Sequence, residues 1–246
     1  MKPFKIFALI LALFATVSCS KKEENLWIVG TSADNPPYEF LKDGEIQGFD
    51  IDLMIEIAKH LGKKIEFKNM EFHGLLAALA SKNIDMSIAA MSVTPERLAR
   101  VDFSIPYTDS KIAVLYRIDS NFTEPSDFKD HMIGAQLGTI WTLIAHDMSI
   151  KYSFRTKSLA SNLMLVEELK NGRIDGVMLE ESQVQKFVEK NNGLARLSIP
   201  QYGSSFSIAL PKGSEDKKNI DHTIKSLRSN GTIASLAKKW GLVGAE

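Results

Sequence analysis

One cysteine, Cys19, stands in a chain of 246 residues, and a single thiol cannot build a disulfide framework. Excess charge is also lacking. The 30 Lys and Arg balance 30 Asp and Glu, which argues against the basic footprint of a nucleic-acid-binding protein. The chain has no G-x-G-x-x-G, no phosphate-binding loop, no G-x-S-x-G elbow and no pair of histidines at metal-ligand spacing. His60, His73, His131, His146 and His222 are scattered and fit surface or packing positions. These absences weaken hydrolase, dehydrogenase and metalloenzyme readings together. No cofactor, no metal and no catalytic group is expected. The apolar run from Ile6 to Val17 is shorter than the ~20 residues that span a bilayer.

What is present starts with that run. Lys2 and Lys5 precede it, and Ser18, Cys19, Ser20 and the charged stretch 21–24 follow. A positive start, a short apolar core and a small residue before a polar break describe a secretory signal over residues 1–18. A buried N-terminal helix would instead carry polar positions at helical spacing. In an exported protein, a lone thiol at the end of the leader suggests covalent lipid attachment, with 19–25 as a tether. Thr16-Val17-Ser18-Cys19 resembles a bacterial lipoprotein box, although Thr16 stands where a leucine-like residue is usual.

The remainder, with 44% hydrophobic residues across the whole chain, can bury a full core. Short β-branched apolar runs alternate with helical patterns, which predicts an α/β protein with largely parallel sheets. Strands are expected at 26–30, 64–67, 84–89, 132–136, 175–179 and 205–210. Helices are expected at 50–61, 74–81, 140–148, 161–171, 217–229 and 232–240. An internal echo divides the chain. The heptad from Leu79 to Asp85 aligns with that from Leu169 to Asp175, each a helix end, a turn and an Ile-Asp opening an apolar strand. Two related lobes follow, 26–107 with 204–246 and 112–200, joined by crossovers near 107–111 and 200–203 that can hinge about a cleft.

In open α/β sheets ligands bind beyond the carboxyl ends of the strands. The echo puts Ser92–Arg97 and Glu180 at such ends, facing each other. Thr94 and Pro95 read as the cap and first residue of a helix, with Arg97 on its first turn. That segment alone fits a solvated surface helix as well as an anion site; the cleft argument favours the anion site, where Arg97 grips a carboxylate bidentately. Gln136-Leu137-Gly138-Thr139 runs from a strand through a glycine turn into a helix, a second backbone anion site. Glu180 can meet an ammonium group or favour the start of the next helix, a role that suits Glu181 better. Phe72 and Trp141 fit either a ligand stack or the core.

Several motifs taken together resemble the family 3 solute-binding proteins of ABC transporters, receptors for polar amino acids. They are the segments Gly30–Phe40, Gly48–Leu53, Ile84–Arg97 and Asp102–Tyr107, with Leu137-Gly138-Thr139, Asn230-Gly231-Thr232 and Lys239-Trp240-Gly241. The resemblance covers the mature chain and implies a two-lobed, type II periplasmic binding fold without catalysis. It implies that Arg97, helped by Ser92 and the backbone of Ala89 and Ala90, binds the ligand α-carboxylate, with Thr139 as a further donor. Glu180 takes the α-ammonium where the family usually has Asp, and Phe72 flanks the ligand side chain. Basic amino-acid receptors often have an acid and an aromatic near the first strand, where this chain has Ser32 and Asn35; Asp34 substitutes. The ligand implied is an L-amino acid, arginine first and glutamine or another polar one next. The partners implied are ABC permease subunits and a membrane, through the lipid, in the periplasm or cell envelope. Two rivals share the fold: a periplasmic cyclohexadienyl (prephenate or arogenate) dehydratase, with Glu180 as its acid, and a sensor acting on a separate membrane partner.

The leader makes the first prediction. Cleavage before Cys19 and acylation of its thiol should appear in mass spectrometry of the native protein as lipid on an N-terminal cysteine; a soluble product that retains the leader would refute it.

Overall fold

The computed structural model describes residues 25–242; the leader over 1–18, Cys19 and most of the 19–25 tether lie outside the described residues. The chain opens with β1 (Leu26–Thr31), β2 (Asp34–Asn35), β3 (Glu39–Lys42), β4 (Glu45–Gln47), α1 (Phe49–His60) and β5 (Lys64–Asn69). A tight turn of 3-10 helix, Phe72–Gly74, leads into α2 (Leu75–Ala80), β6 (Met86–Ser87), α3 (Pro95–Leu98) and β7 (Asp102–Phe103). Then come β8 (Thr108–Arg117), β9 (Met132–Gln136), α4 (Ile140–Tyr152), β10 (Arg155–Leu159), α5 (Asn162–Lys170), β11 (Gly176–Glu180) and α6 (Glu181–Lys190). The chain returns through β12 (Leu194–Phe206), β13 (Ala209–Leu210), α7 (Asp216–Ser229) and α8 (Thr232–Trp240).

These elements build two five-stranded sheets, ordered β5-β1-β6-β13-β7 and β10-β9-β11-β8-β12, and a small sheet β2-β3-β4. Three strands pair in parallel in each large sheet, and the fourth, β13 or β8, runs against the rest. The architecture is therefore two lobes of α/β type with sheets flanked by helices. The returning helices belong with the first sheet: Lys239 Nζ and Trp240 Nε1 of α8 both donate to Asp52 Oδ2 of α1, at 2.6 and 2.7 Å.

The internal echo is visible atom by atom. Asp85 Oδ2 accepts the Ile28 N–H at 2.7 Å, and Asp175 Oδ2 accepts the Met132 N–H at 2.8 Å. A Cβ at Gly30 would meet Ile84 and Leu75; one at Gly134 would meet Leu165 and Ile174. Each glycine lets the β-strand press against the helix–turn–strand unit that carries the repeated Ile-Asp.

Two sequence expectations change. The strand expected over 84–89 is regular only at Met86–Ser87, although the Asp85 and Ile88 amides still donate to β1, and Ala90, with φ of 45°, turns the chain away after it. The segments 107–111 and 200–203, expected as crossovers between the lobes, run into the start of β8 and lie inside β12, two long antiparallel strands that form one ribbon. The ladder skips residues 200–202, passing from the Ile112–Ile199 pair directly to Lys111–Gly203. Proline interrupts β12 without harm because an edge strand has a side that needs no N–H donor.

Gly48 joins the small sheet to α1. Its φ is 140°, and a Cβ there would lie 2.0 Å from the Tyr38 carbonyl oxygen, which accepts the Asp50 N–H at 2.9 Å. Gly48→Ala is expected to cost at least ~2 kcal/mol, because both backbone strain and a backbone collision oppose it. Urea unfolding checks this; an unchanged midpoint would show that the two segments can part freely.

Candidate functional site

A cavity opens between the two large sheets. All the residues singled out from sequence line it: Arg97, Ser92, Ala89, Ala90 and Phe72 with Asp34 and Asn35 from the first lobe, and Gln136, Thr139 and Glu180 from the second. Trp141 lines it too, almost wholly buried.

Arg97 is positioned by a short helix. The Thr94 hydroxyl accepts the Arg97 N–H at 3.2 Å and Pro95 begins α3. The helix is one turn of four residues, so its dipole contributes less than a longer helix would, and the site rests on the side chain. The guanidinium donates to the Ser92 carbonyl at 2.5 Å and, across the cleft, to the Gly138 carbonyl at 2.8 Å. It also lies 5.5 Å from the centre of the Phe72 ring. No carboxylate is within ion-pair distance of it among the described residues. Burial lowers its pKa to about 10, yet it stays a cation, a buried one without a counter-ion. Opposite it stands the first turn of α4. Thr139 caps this helix without a side-chain bond to it, because its hydroxyl donates to the Gln136 carbonyl at 2.7 Å instead. Ile140 and Trp141 of the first turn of α4 line the cavity, and a helix start of this kind favours an anion.

Glu180 supplies the opposite charge. Sequence reasoning preferred Glu181 at the helix start, but α6 begins at Glu181, so the cap is Glu180: its Oε2 accepts the Gln183 N–H at 3.1 Å. Glu181 turns outward to Ser198 and Arg196. Burial raises the Glu180 pKa to about 7, opposed by bonds from Gln183, Ser182 and Tyr38. Keeping it ionised costs roughly 3 kcal/mol once fully deprotonated, a cost that a bound cation would offset.

Asp34 does more than its position near the first strand suggested. Its Oδ2 accepts the Asn162 N–H at 2.8 Å, the first amide of α5, and the Gln136 amide at 3.2 Å. Its carbonyl accepts from Gln183 Nε2 at 3.2 Å. Asp34 thus meets the start of a helix of the other lobe and bridges the cleft. Burial raises its pKa despite these donors.

Sequence reasoning missed Glu39, Asn162 and Gln183. Asn162 Nδ2 donates to Gln136 Oε1 at 3.1 Å, completing the interlobe network. Glu39 is buried on the cavity wall; Oε1 accepts from Asn35 at 3.0 Å, while Oε2 has no donor. Burial, with Asp50 beside it, holds its pKa well above the carboxylate range. It sat inside a quoted motif, but nothing in a four-residue strand announces that its acid points inward.

The family model for bacterial extracellular solute-binding proteins, family 3, matches residues 27–243. The chain belongs to that family. Among curated relatives of this solute-binding protein, the arginine-binding extracellular protein ArtP of Bacillus subtilis is 33% identical, with 92% of each chain covered. The L-cystine-binding protein TcyJ of Escherichia coli is 31% identical over 89% of this chain and 84% of its own. Among solved structures, an ancestral arginine-binding protein bound to arginine superposes with a TM-score of 0.83 at 32% identity, covering 88% of this chain and 98% of the other. An ancestral arginine-binding protein bound to glutamine gives 0.83 at 31%, covering 89% and 99%. The two-lobed fold is the type II periplasmic binding fold of these neighbours.

Because Asp34 bridges the lobes, Asp34→Ala should shift the unliganded protein toward open forms and speed ligand release about tenfold or more, as loss of charge-assisted bonds predicts. Stopped-flow release rates and small-angle scattering check this; a compact particle with unaltered release would assign the bridge no weight.

Proposed function

We propose that this receptor binds a cationic L-amino acid, arginine first, and closes on it without chemical change. The carrying observation is the charge layout of the cavity. One cation without a carboxylate in contact, Arg97, lies near the first turn of α4, while Glu180 and Glu39, whose Oε2 has no donor, line the same cavity. An α-carboxylate suits the first group, with Ser92 and the Ala89–Ala90 backbone close by, and an α-ammonium suits Glu180. A guanidinium, with its planar donors, suits the carboxyl of Glu39. Phe72 packs on Arg97 and holds the apolar side of the cavity. The relatives named for arginine binding support this reading, as does their two-lobed likeness.

In this reading the lobes 26–107 with 204–246 and 112–200 close about the β8–β12 ribbon, with Asp34 engaging α5 as they meet. The closed form then docks on ABC permease subunits, and lipid on Cys19 keeps it at the membrane outside the cytoplasm. A carboxylate pair fixed on a cation needs no proton transfer to substrate, which favours a receptor over the dehydratase alternative.

A thermal-shift screen of the twenty amino acids with ornithine and citrulline tests the ligand. A ligand at a hundred times its Kd adds ~2.7 kcal/mol to stability. Arginine should give the largest shift, and Glu39→Gln should reduce the arginine shift more than the citrulline shift. Equal losses would remove Glu39 from side-chain recognition, and a silent arginine would overturn the reading.

A further inference from the structure

Glu39 and Asp50 form a buried acid pair behind the cavity. Neither has more than a trace of exposed surface, and each has one oxygen with no hydrogen-bond donor, Glu39 Oε2 and Asp50 Oδ1. The other oxygens are engaged, Glu39 Oε1 by Asn35, and Asp50 Oδ2 by the Ala90 N–H at 2.7 Å and the Tyr107 hydroxyl at 2.8 Å. The two carboxyls lie close enough to act on one another, and the donor-less oxygen of each is buried. Two buried carboxylates side by side repel one another, and a single proton held by the pair relieves that repulsion. Only Glu39 of the pair reaches the cavity.

The groups facing the pair are Asp34 and Asn35 of β2, Tyr38 before β3 and Tyr107 before β8, with Glu180 reached through Tyr38. None of these is a cation. The cation that shares the cavity, Arg97, is turned to the carbonyls of Ser92 and Gly138. Nothing on the protein side therefore replaces the proton, whereas a positive ligand side chain at Glu39 would.

Resting on the cationic-ligand reading above, we infer that a positive side chain arriving at Glu39 expels the proton shared by Glu39 and Asp50. The reaction balances simply: the acid pair with one proton and a cationic ligand become two carboxylates with the cation, and the proton leaves to solvent. A neutral side chain leaves the proton where it is. Burial raises both acids, and Glu39 has Asp50 beside it as well, which keeps the proton on the pair until a cation arrives.

Calorimetry near neutral pH in two buffers of different ionisation enthalpy reads the exchange directly. Citrulline, the neutral isostere of arginine, is the control, because any proton released at Glu180 by the α-ammonium is common to both ligands. Arginine should release about one proton more than citrulline, and its Kd relative to that of citrulline should fall about tenfold per unit rise in pH where the pair exchanges its proton. Equal release by the two ligands overturns the exchange while leaving arginine binding intact. An arginine that gives neither heat nor thermal shift instead sinks the reading beneath it. In Glu39→Gln the excess release should vanish; if the variant still releases it on binding arginine, the proton comes from elsewhere and the inference falls.

Discussion

Asp50 has no exposed surface, and its Oδ2 receives both the Ala90 N–H and the Tyr107 hydroxyl at the first turn of α1. Three stretches far apart in sequence meet on that oxygen: the start of α1, the turn after β6 and the approach to β8. The turn is strained, since Ala90 holds a positive φ that costs ~1–3 kcal/mol in a residue with a Cβ. A hydrogen bond to a charged group, worth ~1.5–3 kcal/mol, can hold it there. With Ala90 so fixed, the backbone from Ala89 to Ser92 leaves the sheet early and borders the cavity. Glu39 inherits the consequence, because it lies against an acid whose better oxygen is already committed.

The cavity therefore carries its charges at a cost to the empty protein. Arg97 has no carboxylate in contact, Glu180 is pushed to about 7 by burial, and burial with Asp50 alongside raises Glu39 well above the carboxylate range. Buried charges of this sort destabilise a fold unless paired. Here they stand on two lobes whose inner ends repeat one helix–turn–strand pattern, so each lobe brings a helix start to the gap. Fixed groups of this kind need little rearrangement when a zwitterion enters, and that preorganisation favours affinity over stability.

Much of this was legible in the sequence where local chemistry is self-contained. Thr94-Pro95 announced the cap that carries Arg97, the Ile-Asp repeat announced the lobes, and the helices at 217–229 and 232–240 have clear apolar stripes. What was not legible depended on tertiary burial. Glu39 looks like any acid in a short strand until α1 packs over it. Asn162 and Gln183 matter only because Asp34 reaches them from the other lobe. Ile112–Tyr116 is a fully buried apolar run without alternation, and β12 contains Pro200 and Gly203, so neither strand of the ribbon showed a period-two pattern. The cap at α6 was assigned one residue late because the strand runs directly into the helix, with no loop residue to serve.

The gap in the ribbon has a mechanical meaning. Residues 200–202 bulge from the ladder while β8 continues without a break, so a twist at that point strains three residues and no cross-strand hydrogen bond. Gly203, where a Cβ would press within 2.8 Å of the Ser110 carbonyl, keeps the strands close on the far side of the bulge. If the lobes close as proposed, this is where the ribbon would give, and the ladder on either side would keep its register.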